Sequence, residues 1–268
     1  MKPSGIITLL TDFGLSDPYG AMMKGVILSI NPNAHPVDIS HQVRTGSIIQ
    51  ASGIILDAFP FFPKGTVHVG VVDPGVGGER RLLAIEANDH FFVGPDNGIF
   101  WPLIQKYRAD RIVQLIETRY FLPHVTRTFH GRDVFAPVSA HISLGVGLEE
   151  MGPPLEDPIQ ADLPRPRLSE GLIQGQIVHV DHFGNLITNI GRKELEDLLG
   201  TSRPVIEVGA LLIEGLSQTY GDAEEGQPLA LINSSDMLEI AVNLGRASRY
   251  AGFDQEEIIG MVVTVGKG

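Results

Sequence analysis

"TVHVGVVDPGVGGERRLLAIEA", residues 66–87, holds two apolar runs of strand length around an acid, a glycine-rich turn and paired arginines. Short runs rich in β-branched residues and bounded by Gly and Pro read as strands. The first run ends on Asp73, and the second restarts directly after Arg80. In layered α/β folds, parallel strands present ligand-binding loops beyond their carboxyl ends, so an acid at such an end marks a candidate site. GVGG is not a phosphate cradle. It lacks the lysine and Ser/Thr of a Walker loop, misses the GxGxxG spacing and leads into a strand rather than a helix. The glycines instead let the chain reverse tightly, which brings Arg80 back toward Asp73. Two readings stand: an ion pair supporting a hairpin, or a pair facing a ligand.

The pattern extends outward on both sides. Further strands are expected over 5–13, 90–95 and 111–117, and helices over 21–30, 47–59, 99–107 and 134–145. Asp17-Pro18 resembles a cap and first-turn residue for the first helix. Alternation of this kind predicts an α/β layered domain with a largely parallel sheet over residues 1–152. Residues 153–170 carry prolines at 153, 154, 158, 164 and 166, which neither donate to a sheet nor continue a helix. They read as a linker. Beyond it, residues 171–268 are mostly β-like, with only KELEDLLG (193–200) helical, which predicts a smaller β-rich barrel or sandwich.

Composition narrows the function. With 20 Lys and Arg against 32 Asp and Glu, the net charge of -12 disfavours nucleic acid and anionic lipid as partners. The absence of cysteine excludes disulfides, thiolate metal sites and a thiol nucleophile. No run approaches the ~18 apolar residues of a membrane span, and the short apolar N-terminal stretch does not make a secretory signal. A soluble, cytoplasmic protein is the expectation.

Four polar constellations carry candidate chemistry. Asp12 closes the first strand in TDFG, as a turn cap or as a carboxylate accepting from vicinal hydroxyls. The kinase-like look of TDFG is spurious, because no glycine loop, strand lysine or catalytic loop precedes it. TFHGRD (128–133) offers His130, either packed on a carbonyl or facing a cleft with Asp73 and Arg80, while Asp133 suits a helix cap. An acid, a guanidinium and an imidazole at one spot would suit binding and activation of water. VDHFGNLITN (180–189) crowds Asp181, His182, Asn185 and Asn189 around a turn, as an ordinary hairpin or as a site for a substrate ammonium and a purine edge. Ser234 and Ser235 end a strand in LINSSDMLEIAVN, as turn serines or as carboxylate donors. No HxH, HExxH or DxD spacing makes a metal set, and no GxSxG elbow is present.

Together with GPDNG (94–98), these motifs in this order resemble the S-adenosyl-L-methionine hydroxide adenosyltransferases, relatives of the fluorinase and chlorinase, from about residue 5 to 266. The resemblance implies an α/β domain followed by a β domain, and a homotrimer with each substrate between the N-terminal domain of one subunit and the C-terminal domain of its neighbour. It implies hydrolysis of S-adenosyl-L-methionine (SAM) to adenosine and L-methionine, with no cofactor. The family's water-activating triad falls on Asp73, Arg80 and His130, its ribose acid on Asp12, its ammonium-binding acid on Asp181 and its adenine-contacting asparagine on Asn185. Ser234 matches the serine near the methionine carboxylate, and Ser235 replaces the arginine that follows it in the fluorinase. The fluorinase also has tyrosine at the position of Asp73 and a Tyr-Ser pair at His130-Gly131. Since an unpaired buried carboxylate repels a halide, Asp73 and His130 at these positions favour water over chloride or fluoride. A binding protein without turnover and a SAM-dependent halogenase are the alternatives.

Overall fold

A computed structural model describes residues 1–169, 171–250 and 258–268. The chain divides into two compact units, Met1–Ala161 and Asp162–Gly268.

In the first unit the elements run β1 (Ile6–Thr11), α1 (Tyr19–Ile30), β2 (His35–Ser40), α2 (Ile48–Ala58), β3 (Val67–Val71), β4 (Leu82–Ala87), β5 (His90–Pro95), α3 (Trp101–Tyr107), β6 (Arg111–Gln114) and α4 (Ala136–Ser143). The strands form one sheet in the order β2-β1-β3-β5-β4-β6. Pairs β2–β1, β1–β3 and β3–β5 are parallel, whereas β4 is antiparallel to both β5 and β6. Five strands therefore share one direction and β4 alone is reversed. Ile7 and Leu9 pack with Met23 and Ile27 of α1 and Val138 and Ile142 of α4, while Leu10, Ile85 and Phe92 pack with Ile55 of α2 and Leu103 of α3. Covering both faces explains why these strands read as continuous apolar runs.

Three local readings change. Residues 72–81 do not close a hairpin, because β5 lies between β3 and β4; the reversal falls instead at Asn88-Asp89, both at positive φ (48° and 60°), which suits a two-residue turn. α1 starts without a side-chain cap, so Asp17 does not serve it. The strand β2 has no counterpart in the sequence reading: Pro36 interrupts it, and proline is tolerated because β2 lies at the sheet edge. The first part of the proline-rich stretch packs with the first unit, where Pro153 O accepts from Gln114 N (2.9 Å) and Leu155 N donates to Ile112 O (2.9 Å).

The second unit contains β7 (Arg167–Ser169), β8 (Leu172–Val180), β9 (Leu186–Gly191), α5 (Arg192–Leu199), β10 (Pro204–Val208), β11 (Leu211–Glu214), β12 (Pro228–Ile232), β13 (Met237–Val242) and β14 (Val262–Lys267). Its antiparallel sheet runs β11-β10-β14-β8-β9-β13-β12, with β7 beside β8. Ser217, just past β11, bridges to Leu231 of β12, so the sheet curls into a nearly closed barrel. Alternate residues such as Ile173, Ile177, Ile206, Ile240 and Val265 fill its interior, and α5 adds Leu195 and Leu198. Among the described residues no helix is long and apolar enough to cross a membrane.

Within the first unit a polar line crosses three strands. Thr8 Oγ1 meets His68 Nδ1 at 2.8 Å, and His68 Nε2 meets His90 Nδ1 at 3.1 Å, walled by Phe59 and Phe92. Burial, reinforced by His90, drives the His68 pKa from 6.5 down to about 3. A histidine held neutral by folding stabilises the protein fully above the unfolded pKa and loses that contribution as pH falls below it. The unfolding free energy should therefore drop by about 2 kcal/mol from His68 alone between pH 7 and pH 5. Denaturant titrations at the two pH values check this; equal stabilities would contradict it.

Candidate active site

Parallel neighbours β1 and β3 pair Thr11 with Val71. Asp12 and Asp73 follow within two residues of those partners, so both acids stand at the carboxyl edge of the sheet. Gly46 lies between them: its N–H donates to Asp12 Oδ2 (2.8 Å), and a Cβ built on it would stand 3.9 Å from Pro74 Cβ.

The segment after Asp73 must pass over the end of β5 to reach β4. Two tight turns shape it, Val76 N to Asp73 O (3.2 Å) and Gly78 N to Gly75 O (3.0 Å). Gly77 sits at φ 75°, and a Cβ there would lie 2.1 Å from Arg127 O. Only glycine allows this segment to press against the loop that carries His130. Asn97 Nδ2 donates to Val72 O (2.8 Å) and fixes the strand end from below.

The paired arginines then part. Arg81 turns to Asp96 (2.7 Å), a buried carboxylate that also accepts from Ile159 N (2.7 Å), and to Asp157 (2.7 Å). Arg80 turns inward. Its Nε donates to Asp73 Oδ1 (3.0 Å) and Oδ2 (2.8 Å), and its Nη2 donates to Asp73 Oδ2 (2.5 Å) and meets His130 Nδ1 (2.7 Å). Side-chain exposure is 9% for Arg80 and 4% for Asp73, so the pair is a sheltered one. Arginine only donates, so Nδ1 of His130 is an acceptor and the ring proton sits on Nε2. Burial and then the Arg80 charge push the His130 pKa below 6.5, against an opposing pull from Asp73 and Asp133. The structure thus brings together Asp73, Arg80 and His130.

His130 opens a π-helical turn, Gly131–Phe135, ahead of α4. Such wide turns are frequent at functional sites. Gly131 is crowded by Met23, Phe129 and Phe13, and Phe13, Tyr19 and Phe129 stack edge to face. Asp133 does not cap the helix. Its carboxylate reaches back to Thr126 N (2.8 Å), Thr126 Oγ1 (2.6 Å) and Arg132 Nε (2.6 Å), tying the loop to the turn. Burial raises its pKa, but Arg132 and Thr126 outweigh that and the net shift is downward.

In the second unit, the turn between β8 and β9 holds Asp181 and Asn185 against each other. Asp181 Oδ1 accepts from Asn185 N (2.8 Å) and Oδ2 from Asn185 Nδ2 (3.0 Å), which leaves the Asn185 side-chain carbonyl as an acceptor. His182 is exposed, and Asn189 is spent on Gln176 N and Pro164 O. Asn233 organises the β12–β13 turn by accepting from Ser235 N (2.9 Å) and Met237 N (3.1 Å); Ser234 is exposed at its tip. The sequence reading missed Glu239, which is buried on β13 and accepts from Tyr220 OH (2.8 Å). Burial raises its pKa, the Tyr220 and Asn233 bonds oppose this, and Asp181 raises it further. An acid inside an apolar strand was the available signal. Among the described residues no group of three or more His, Asp or Glu side chains is placed to hold a metal ion.

Fold and site define a class: an α/β unit with an acid–guanidinium–imidazole cluster at the carboxyl edge of its sheet, followed by a β-barrel unit. Profiles of the SAM hydroxide adenosyltransferase N-terminal and C-terminal domains match residues 7–152 and 175–259, and the chain belongs to that family. It is similar to the (R)-S-adenosyl-L-methionine hydrolase of Thermus thermophilus, 36% identical with 95% of this chain and 97% of the relative covered. The enzyme of that name from Salinispora tropica is 34% identical, covering 94% and 95%. A fluorinase from Actinoplanes sp. is more distant, 29% identical over 89% and 91%. The crystal structure of an uncharacterized conserved protein from Thermotoga maritima superposes with a TM-score of 0.89 at 32% identity, covering 98% of this chain and all of that one.

Gly77 provides a direct check of the loop contact. Gly77→Ala, with its positive φ and blocked Cβ, should lower stability by about 1–3 kcal/mol. Gly75→Ala meets only ordinary contacts, 3.5 Å from Arg80 Cδ, and should cost less than about 0.5 kcal/mol. Equal losses in thermal denaturation would reject the close-approach argument.

Proposed function

We propose that this chain hydrolyses SAM to adenosine and L-methionine by attack of water on C5′. The observation that carries the reading is the sheltered Arg80 fork joining Asp73 to His130. The names of the relatives at 34–36% identity support the substrate and the reaction.

The sulfonium leaves as a neutral thioether and needs no acid, so the chemistry falls on the nucleophile. Water held in line behind C5′ gains most from positioning, up to ~7–11 kcal/mol in ideal cases. Oxygen bonds to C5′ while the C5′–S pair departs to sulfur, and the attached water becomes strongly acidic. A weak base therefore suffices. His130 has its Nδ1 lone pair engaged by Arg80 and its proton on Nε2, so it acts as a donor that orients the water oxygen. Asp73 takes the proton through the lone pairs that Arg80 leaves open, then passes it to solvent. Arg80 holds both partners in place and balances the charge of the Asp73 carboxylate.

Asp12 would accept from the ribose hydroxyls, Asp181 from the methionine ammonium and Asn185 from adenine, with Ser234 and Ser235 near the methionine carboxylate. This reading takes a cytoplasmic homotrimer as the working form and SAM as substrate without a further cofactor.

Incubation of pure protein with SAM, with and without chloride and EDTA, tests the reaction. Adenosine and methionine in equal amounts, indifferent to both additions, are expected. 5′-Chloro-5′-deoxyadenosine would establish halogenation instead, and intact SAM a binding protein. Asp73→Asn and His130→Ala should retain SAM binding and lose about 100-fold or more in kcat. Near-normal turnover would remove the triad.

The pH profile follows from His130. Its pKa lies below 6.5, and protonation sets Nδ1–H against the Arg80 donor. The acid limb of turnover should have its midpoint below pH 6.5. A decline complete by pH 6.5 would contradict that arrangement.

A further inference from the structure

The ribose acid proposed above does not stand alone, and the residues that hold it point past the triad. Asp12 is bracketed by the segment that follows β2. Val43 N donates to Thr11 O (3.3 Å), Gly14 N donates to His41 O (2.7 Å), and Gly46 N donates to the Asp12 carboxylate (2.8 Å). Wherever residues 41–46 lie, the Asp12 carboxylate follows.

His41 fixes that segment. It is buried, 5% exposed, at the end of β2. Its Nδ1 lies 2.8 Å from Thr11 Oγ1, which also accepts from Phe13 N (3.2 Å), and its Nε2 lies 2.9 Å from Asp38 Oδ1. Asp38 is in turn bound by Lys24 Nζ of α1 (2.5 Å). Burial raises the Asp38 pKa, but the Lys24 and His41 bonds prevail and lower it. A carboxylate only accepts, so the Nε2 proton points to Asp38, and a neutral ring takes the Thr11 hydroxyl proton at Nδ1. The ring packs against Gly20 of α1, where a Cβ would come within 2.9 Å of Nε2. The acid–imidazole–hydroxyl line has the outline of a nucleophilic triad. Its hydroxyl is fully buried, belongs to the residue before Asp12 and accepts from the backbone N–H of the residue after it, so it aims a backbone instead.

We infer that His41, oriented by Asp38, is a positioning residue that sets the Asp12 carboxylate for the nucleoside hydroxyls. The inference rests on the ribose role of Asp12. Loss of an aligned hydrogen bond of this kind shows as misplacement of the acid, hence as weaker nucleoside binding rather than slower chemistry.

The test uses the full chain with adenosine as the calorimetric probe and SAM for kinetics. His41→Phe keeps a ring and removes both bonds. It should weaken adenosine about tenfold and raise KM for SAM about as much, while kcat changes less than about threefold. His41→Gln, which can still donate to Asp38, should recover part of the affinity. Asp38→Asn lies on a partly exposed side chain and keeps the core intact, so it serves if His41→Phe fails to fold; a loss of about threefold is expected. The double variant Asp12→Ala with His41→Phe (or Asp38→Asn) should bind adenosine no more weakly than Asp12→Ala alone. Additive losses, or wild-type affinity in His41→Phe and Asp38→Asn beside a weakened Asp12→Ala, would overturn the positioning role while leaving the ribose reading intact. Wild-type affinity in Asp12→Ala would sink both.

Discussion

The site hangs on one guanidinium. Arg80 gives three hydrogen bonds to Asp73 and one to His130, and it does so with 9% of its side chain exposed. A buried ion pair gains only when the geometry is good and the remaining polar atoms are satisfied. The planar fork of arginine meets that demand in a way lysine could not, because a single ammonium cannot face a carboxylate along two edges and an imidazole along a third. Removing either partner would leave an uncompensated charge, which typically costs about 3–5 kcal/mol.

Topology makes the fork possible. Because β5 inserts between β3 and β4, residues 72–81 arch over the sheet edge instead of closing flat against it. The arch meets the loop before α4 only where Gly77 lets the backbone come close. On the other side of that contact, the π turn at Gly131–Phe135 and the Asp133–Thr126 bonds hold His130. Residues 50 positions apart in sequence thereby meet at 2.7 Å. Secondary structure supplies the direction of each piece, and two glycines and one buried acid supply the fit.

Much of this was legible in the residues. Apolar runs closing on Asp12 and Asp73 mark strand ends because both faces of the sheet are covered and the periodicity of two disappears. The β texture after residue 171 shows because each strand there keeps one face on the barrel core. What stayed hidden depends on tertiary neighbours. Arg80 was singled out by the motif, but the partners that hold Arg81 outward, Asp96 and Asp157, come only from the tertiary structure. The hairpin expected at 72–81 failed because strand order is a long-range property that no local turn signal encodes. β2 was missed since Pro36 breaks its pattern, and His41 went with it. Asn185 and Asp181 were found as a pair by crowding around one turn, but their mutual bonds come from the turn's geometry.

The neutralisation of Asp73 bears on rate as well as on structure. A sulfonium substrate carries its positive charge in the ground state, and displacement by water spreads that charge over oxygen, carbon and sulfur. An unpaired carboxylate beside the reacting centre would hold the concentrated cation more tightly than the dispersed one, and such binding lowers KM without raising kcat. In the proposed reaction, pairing with Arg80 would remove that penalty while leaving carboxylate lone pairs to receive a proton late in the reaction. Asp12, Asp181 and Glu239 accept from neutral donors instead and follow the opposite logic. Asp12 and Asp181 are the ones proposed to hold parts of the substrate that do not react, where tight binding of hydroxyls and ammonium can be turned to orientation. Under the proposed function, the carboxylate that reacts carries an arginine and the two that hold the substrate accept only from neutral donors.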